Sequence, residues 1–154
     1  MKFELWLHGK NEAYISQGIT IYEKRFRRYI QFEIKYIEGG RKGKTPDLVK
    51  AAESKLIMSK LEERDYLIIL DEGGKEYSSE KFAALVGHIM AGGTKKVIFL
   101  IGGAYGVDAA LKARAAATLS LSKMTFSHQI ARLVFAEQLY RAFTIINREP
   151  YHHS

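Results

Sequence analysis

The chain has no cysteine, only two prolines and a single tryptophan among its 154 residues. Without cysteine there is no disulfide, no thiolate metal site and no cysteine nucleophile, which fits a reducing compartment such as the cytoplasm. No apolar run approaches the roughly 18 residues that cross a bilayer, and Met1-Lys2-Phe3-Glu4 places charge where a secretory leader is apolar. A cytoplasmic protein is expected, neither exported nor inserted in a membrane. Metal is not expected either: His8, His88 and His128 are scattered, and His152-His153 are neighbours on a tail that cannot both face one ion. No G-x-S-x-G elbow presents a hydrolase serine. The nearest approach to a phosphate loop, Gly43-Lys44-Thr45, lacks the glycine five residues before Gly43 and runs directly into Pro46.

What is present is an ordinary globular composition, 47% hydrophobic and 27% charged, with an excess of positive charge that gives +7 at neutral pH. A single domain over residues 1–154 is expected. The positive surplus is concentrated in two clusters, Lys24-Arg25-Phe26-Arg27-Arg28 and Arg41-Lys42-Gly43-Lys44. Such clusters attract a polyanion through phosphate neutralisation and counterion release. They also read as a helix end and a basic loop in water.

Strand and helix signals alternate along the chain. Lys2 to His8 alternates apolar and polar residues, apart from Trp6, as a strand does. Asn11 is a candidate N-cap for a helix reaching about Arg28, whose cationic end complements the helix dipole. Gln31 to Ile37 reads as a second strand. Thr45-Pro46, a cap followed by proline at the first helical position, opens a helix to about Glu63. Tyr66 to Leu70 and Val97 to Ile101 are short, wholly apolar runs, as expected for strands covered on both faces. Between them Asp71 to Gly74 turns the chain, and Ser78 or Ser79 caps a helix to about Ala91. Asp108 to Ala115 is a short helix, Ala117 to Leu121 a brief strand, and Ser127 to Ile146 a long helix. In that last helix Ile130, Leu133, Val134, Leu139, Phe143 and Ile146 are expected to face inward, and Arg132 to lie on a solvated face. The alternation predicts an α/β fold with a mostly parallel sheet and helices on both faces.

Ligands of open α/β sheets settle beyond the carboxyl ends of the strands. The loop Gly102-Gly103-Ala104-Tyr105-Gly106 leaves such a strand, and Leu119 to Phe126 follows it closely; the two suggest one small-molecule pocket, while the glycines taken alone read equally as a tight turn and nothing more. The glycines do not spell G-x-G-x-x-G, and Asp108 at the start of the next helix repels a pyrophosphate that would use the same amides. A dinucleotide is disfavoured.

The sequence resembles the RlmH family of SPOUT-class ribosomal RNA methyltransferases. The resemblance lies in Val97 to Gly103 with Gly106, in Leu119-Ser-Leu-Ser-Lys-Met-Thr-Phe-Ser-His128, in Glu137 to Phe143 and in Pro150-Tyr-His152, and it extends over the whole chain. It implies a C-terminal deep trefoil knot, a homodimer, and S-adenosylmethionine as methyl donor. It also implies the substrate, a pseudouridine of large-subunit ribosomal RNA methylated at N3 on the assembled ribosome.

The cofactor residues it implies are Leu70, Gly102, Leu121, Ser122, Lys123, Met124, Thr125 and Phe126, with Leu70 and Leu121 around the adenine and Gly102 leaving room for the ribose. Ser127 departs from the family, which usually has proline before the histidine. The resemblance further implies catalytic roles for Arg141, Tyr151 and His152 close to the target base. Considered only as a helical i,i+4 pair, Glu137 and Arg141 would be worth about 0.3–0.5 kcal/mol. Lys24, Arg25, Arg27, Arg28, Arg41, Lys42 and Lys44 are expected to meet rRNA phosphates, since no separate RNA-binding domain is visible. A non-catalytic ribosome- or RNA-binding module with the same basic surface is the alternative.

Overall fold

The structure is a computed structural model and describes residues 1–40 and 43–153. Its elements in chain order are β1 (Lys2–His8), α1 (Ala13–Phe26), β2 (Gln31–Ile37), α2 (Pro46–Lys60), β3 (Tyr66–Glu76), α3 (Ser79–Ala91), β4 (Lys96–Ile101), α4 (Ala109–Arg114), β5 (Ala117–Ser120) and α5 (His128–Ile146). The five strands form one sheet in the order β2-β1-β4-β3-β5, and every neighbouring pair is parallel.

The central strands are apolar on both sides because both sides are covered. Phe3, Leu5, Leu7, Val97, Phe99 and Ile101 point to one face, where they pack with Ile15 and Ile19 of α1, Phe82 and Val86 of α3, and Phe135, Leu139 and Phe143 of α5. Leu67, Ile69, Ile98 and Leu100 point to the other, against Ile57 of α2 and Leu111 of α4. Trp6 belongs to this second face, so its departure from simple alternation marks a second buried layer. Glu4, its neighbour on that face, is only 1% exposed and is held by Trp6 Nε1 at 2.7 Å and by the ammonium groups of Lys2 and Lys35, each at 3.0 Å. Burial alone would push this carboxyl up, but these donors outweigh it and its pKa lies below the usual range.

Four local expectations differ from the structure. Glu12, not Asn11, is the N-cap of α1, and it supplies no side-chain cap. Asn11 is taken by tertiary partners instead, donating to Tyr36 Oη at 2.9 Å and accepting from Arg132 at 2.8 Å. Arg132 is not on a solvated face: it is wholly buried, and its guanidinium donates to the carbonyls of His8, Gly9 and Lys10. Ile130 and Ile146 are 36% exposed, since α5 covers the sheet with its middle and not with its ends. Finally, Asp71 to Gly74 does not end β3. The four residues bulge out of the ladder and pairing with Leu119 and Ser120 of β5 resumes at Lys75 and Glu76. Gly74 is where the two backbones meet, since a Cβ there would stand 2.7 Å from main-chain atoms of Thr118 and Leu119.

Candidate active site

The expected pocket is present at the carboxyl ends of β3, β4 and β5. It is a cavity of about 560 Å³ bounded by the β3 bulge (Leu70, Asp71, Glu72), the loop Gly102 to Gly106, and the segment from Ser120 to His128. Each wall has a local cause. The glycine loop closes on itself through a bridge between Gly103 and Gly106, with Gly106 N–H donating to Gly103 O at 3.0 Å and Gly106 at φ 73°, a conformation that favours glycine. Val107 is buried and Asp108 caps α4 by accepting from Leu111 N–H at 2.9 Å, which fixes the far end of the loop. In the bulge, Asp71 accepts from Gly73 N–H at 3.1 Å and from Lys112 Nζ at 3.0 Å. In the third wall, Ser120 Oγ donates to Ser122 O at 2.9 Å, Met124 N–H donates to Ser122 Oγ at 3.0 Å, and Ser127 caps α5 by accepting from Ile130 N–H. Serine at position 127 thus supplies an N-cap that proline cannot.

A second cluster forms where the C-terminal tail folds back on α5. Glu137 is its centre. Its Oε1 accepts from Arg141 Nη2 at 2.5 Å, Arg141 Nε at 3.1 Å and the Tyr151 hydroxyl at 3.1 Å. The Arg141 guanidinium also lies 4.8 Å from the centroid of the Tyr151 ring, and its Nη1 is 3.2 Å from His152 Nδ1. His152 Nε2 meets Glu80 Oε1 of α3 at 2.9 Å. That contact, with the amides at the start of α3, draws the Glu80 carboxyl down to about 2. Burial, reinforced by the bond to Glu137, pushes the Tyr151 phenol up to about 12. Upstream, Glu149 anchors the tail to Tyr29 Oη at 2.8 Å and to Arg28.

Arg141, Tyr151 and His152 are therefore brought together, yet none of them lines the 560 Å³ cavity. A smaller cavity of about 340 Å³ lies between the two groups. It shares Ser120, Leu121 and Phe126 with the first and is bounded on the tail side by Ser79 and Gln138. Ser79 Oγ donates to Gln138 Oε1, and Gln138 Nε2 donates to Glu137 Oε2, both at 2.8 Å.

The family model described as "Predicted SPOUT methyltransferase" matches residues 1–152. The chain belongs to the SPOUT methyltransferase family. Curated relatives agree. It is 46% identical over 155 residues to "Ribosomal RNA large subunit methyltransferase H" of Cytophaga hutchinsonii, covering 99% of this chain and 100% of that one. It is 48% identical over 137 residues to the protein of the same name from Christiangramia forsetii, covering 88% and 87%. Among solved structures, a probable methylase family protein from Haemophilus influenzae matches with a TM-score of 0.58 at 10% identity, over 99% of this chain and 70% of the other, which shows a shared fold.

Within this SPOUT chain, seven of the eight anticipated pocket residues line the cavity: Leu70, Gly102, Leu121, Ser122, Met124, Thr125 and Phe126. Lys123 does not and is exposed. Gly102 also has a reason within the loop itself. A Cβ there would stand 3.0 Å from Val107 Cγ1 and 3.3 Å from the Gly106 backbone, so its bare backbone serves the closure of the loop. Sequence reasoning missed Asp71 and Glu72, which it placed in a plain turn, as well as Glu80 and Gln138. Only the tertiary packing of α3 beside α5 and the tail brings Glu80 to His152 and Ser79 to Gln138. Of the basic residues, Lys24, Arg25, Arg27, Arg28 and Lys44 are exposed. Arg25 also lies over the rings of Tyr22 and Tyr140, at 5.5 and 5.2 Å, and Arg28 over Tyr29 at 4.7 Å. Arg41 and Lys42 lie outside the described residues. Among the described residues no group of His, Asp or Glu is placed to hold a metal ion, and no helix is long and apolar enough to cross a membrane.

Proposed function

We propose that this SPOUT methyltransferase transfers a methyl group from S-adenosylmethionine to N3 of a pseudouridine in large-subunit ribosomal RNA, on the assembled ribosome in the cytoplasm. The observation that carries the reading is the cavity itself, lined by a glycine loop, apolar side chains and a few polar ones including Asp71 and Glu72, in a chain whose relatives at 46–48% identity are named for large-subunit rRNA methylation. The donor fits the residues present. The cavity volume falls within the roughly 300–1,000 Å³ usual for small-molecule sites. Leu70, Leu121 and Phe126 offer apolar surface to an adenine, and the main chain of residues 121–126 offers groups to its edge. Asp71 and Glu72 put carboxylates on the wall, which suits a cationic sulfonium and opposes a pyrophosphate.

When bound, the donor supplies an electrophilic methyl carbon. The protein must then orient an imide nitrogen in line with it and remove the N3 proton. Arg141 and His152 supply the groups. In the observed arrangement both ring nitrogens of His152 are engaged, by Glu80 and by Arg141. One movement of Arg141 away from His152 Nδ1 frees that nitrogen to accept a proton and turns the guanidinium toward the uracil oxygens, where it stabilises developing negative charge. Glu137 keeps Arg141 within reach during the change, and Tyr151 covers the base with its ring.

Because the tail does not line the cavity of its own chain, the working unit of this reading is a homodimer in which the tail of one copy completes the pocket of the other. The C-terminal deep trefoil knot belongs to the same reading. The basic cluster at the end of α1, with the Arg41 to Lys44 segment, docks on rRNA phosphates.

The deciding experiment is methyl transfer from labelled S-adenosylmethionine to intact ribosomes and, separately, to free large-subunit rRNA, with the modified base mapped. Label on ribosomes only, at a pseudouridine N3, is the expected result. Label elsewhere overturns the substrate, and no label with folded protein overturns the activity.

A further inference from the structure

Beneath the glycine loop, on the side of the sheet away from α5, lies a buried polar group with no part in the reaction as described. Glu53 and Ser54 of α2 are 3% and 2% exposed, and His8 at the end of β1 is 7% exposed. Buried polar side chains are costly unless each has a structural partner. Here two contacts lead to the donor loop, a hydrogen bond to Ser54 and the packing of Glu53. Ser54 Oγ accepts from Asp108 N–H at 2.9 Å, at the point where the loop becomes α4. Glu53 lies under the other end: a Cβ on Gly103 would stand 2.7 Å from Glu53 Oε2 and 3.4 Å from His8 Nδ1. His8 Nδ1 is 3.6 Å from Glu53 Oε1, and its Nε2 is fixed by a 2.9 Å hydrogen bond with Gly39 O. The Gly40 backbone in turn rests on Glu53, as a Cβ there would meet Glu53 Cα at 3.1 Å.

We propose that His8, Glu53 and Ser54 are positioning residues of the methyl-donor site, a buried polar platform that sets the shape of the Gly102 to Asp108 loop from below. The inference rests on the reading of the cavity as the donor pocket. Packing alone would be met by apolar residues at these positions, which join a hydrophobic layer containing Ile57, Leu100 and Val107. Ser54 fixes the backbone by direction through its hydrogen bond to Asp108, and Glu53 by volume under Gly103; a loop that meets its ligand through backbone needs both. Gly103 is part of the same fit, since any side chain there would displace the carboxylate.

The test uses Glu53→Gln and Ser54→Ala in the full chain, with two readouts. Amide hydrogen exchange over residues 102–108 should quicken by about tenfold while protection of β1 and β4 is kept. The Kd and KM for S-adenosylmethionine should rise by about tenfold with the ribosome KM unmoved. A companion pair guards against variants that fold poorly. Gly103→Ala should weaken donor binding in the native background but add nothing to Glu53→Ala, in which the colliding oxygen is gone. Unchanged loop exchange in Glu53→Gln and Ser54→Ala overturns the platform, as does full additivity of Gly103→Ala with Glu53→Ala. Failure of the native protein to bind S-adenosylmethionine overturns the reading of the pocket instead, and the exchange measurement still decides the platform.

Discussion

The cavity under the glycine loop and the cluster around Glu137 are built from opposite materials. The cavity is made of strand ends and turns with mostly apolar and small polar side chains, Asp71 and Glu72 at one wall, and its shape is held by main-chain bonds such as Gly106 to Gly103. The tail cluster is made of charged and aromatic side chains whose hydrogen bonds converge on one carboxylate oxygen. Under the proposed function the difference becomes a division of labour: shape recognition of a neutral adenine needs a fixed backbone, while moving a proton and balancing charge need groups that titrate and turn.

The largest effects should come from the tail. Arg141→Ala and His152→Ala are each expected to lower the rate of methyl transfer by about 10²-fold or more, with donor Kd unmoved by calorimetry. Full activity in both variants would remove the tail from the chemistry. The cavity side should respond in the other parameter. Gly106→Val, a β-branched residue forced to φ 73°, should cost at least about tenfold in donor affinity. Mixing this variant with Arg141→Ala sharpens the comparison further: recovery of activity that neither has alone is expected of a dimer with shared sites, and no recovery assigns each tail to its own pocket.

A smaller effect concerns the centre of the tail cluster. Partial burial and the bond to Glu137 push the Tyr151 phenol up from 10.0 to about 12. The folded protein holds this proton more tightly than the unfolded chain, so its contribution to stability is complete below pH 10 and is lost as pH rises through about 12. Glu137→Gln should move the phenol back toward its ordinary value, read by ultraviolet titration, and loosen Arg141 as well. The smallest effect should be that of Arg27→Glu, which is expected to weaken ribosome association and reduce its salt slope by about one. Arg28→Glu should do more, because it also releases Glu149 and with it the tail.

Much of this architecture was legible in the chain. Apolar runs at Tyr66 to Leu70 and Val97 to Ile101 announced strands covered on both faces, and capping residues at Thr45 and at Ser78 or Ser79 announced helices beside them. These signals are local, so one sequence carries them. The positions of the pocket walls followed from glycines after a strand, with motif resemblance naming the rest.

What the sequence by itself determined is therefore the alternation of elements, the two-sided burial of the sheet and two of the three segments that bound the cavity, because periodicity, capping and turn chemistry act between near neighbours. The tertiary structure alone decided that Arg132 is buried among carbonyls, that β3 resumes beyond its bulge, that Glu80 meets His152 across 72 positions, and that Glu53 lies under Gly103. Each of these depends on partners far apart in the chain, and a polar residue read alone looks the same whether its partner is water or a distant backbone.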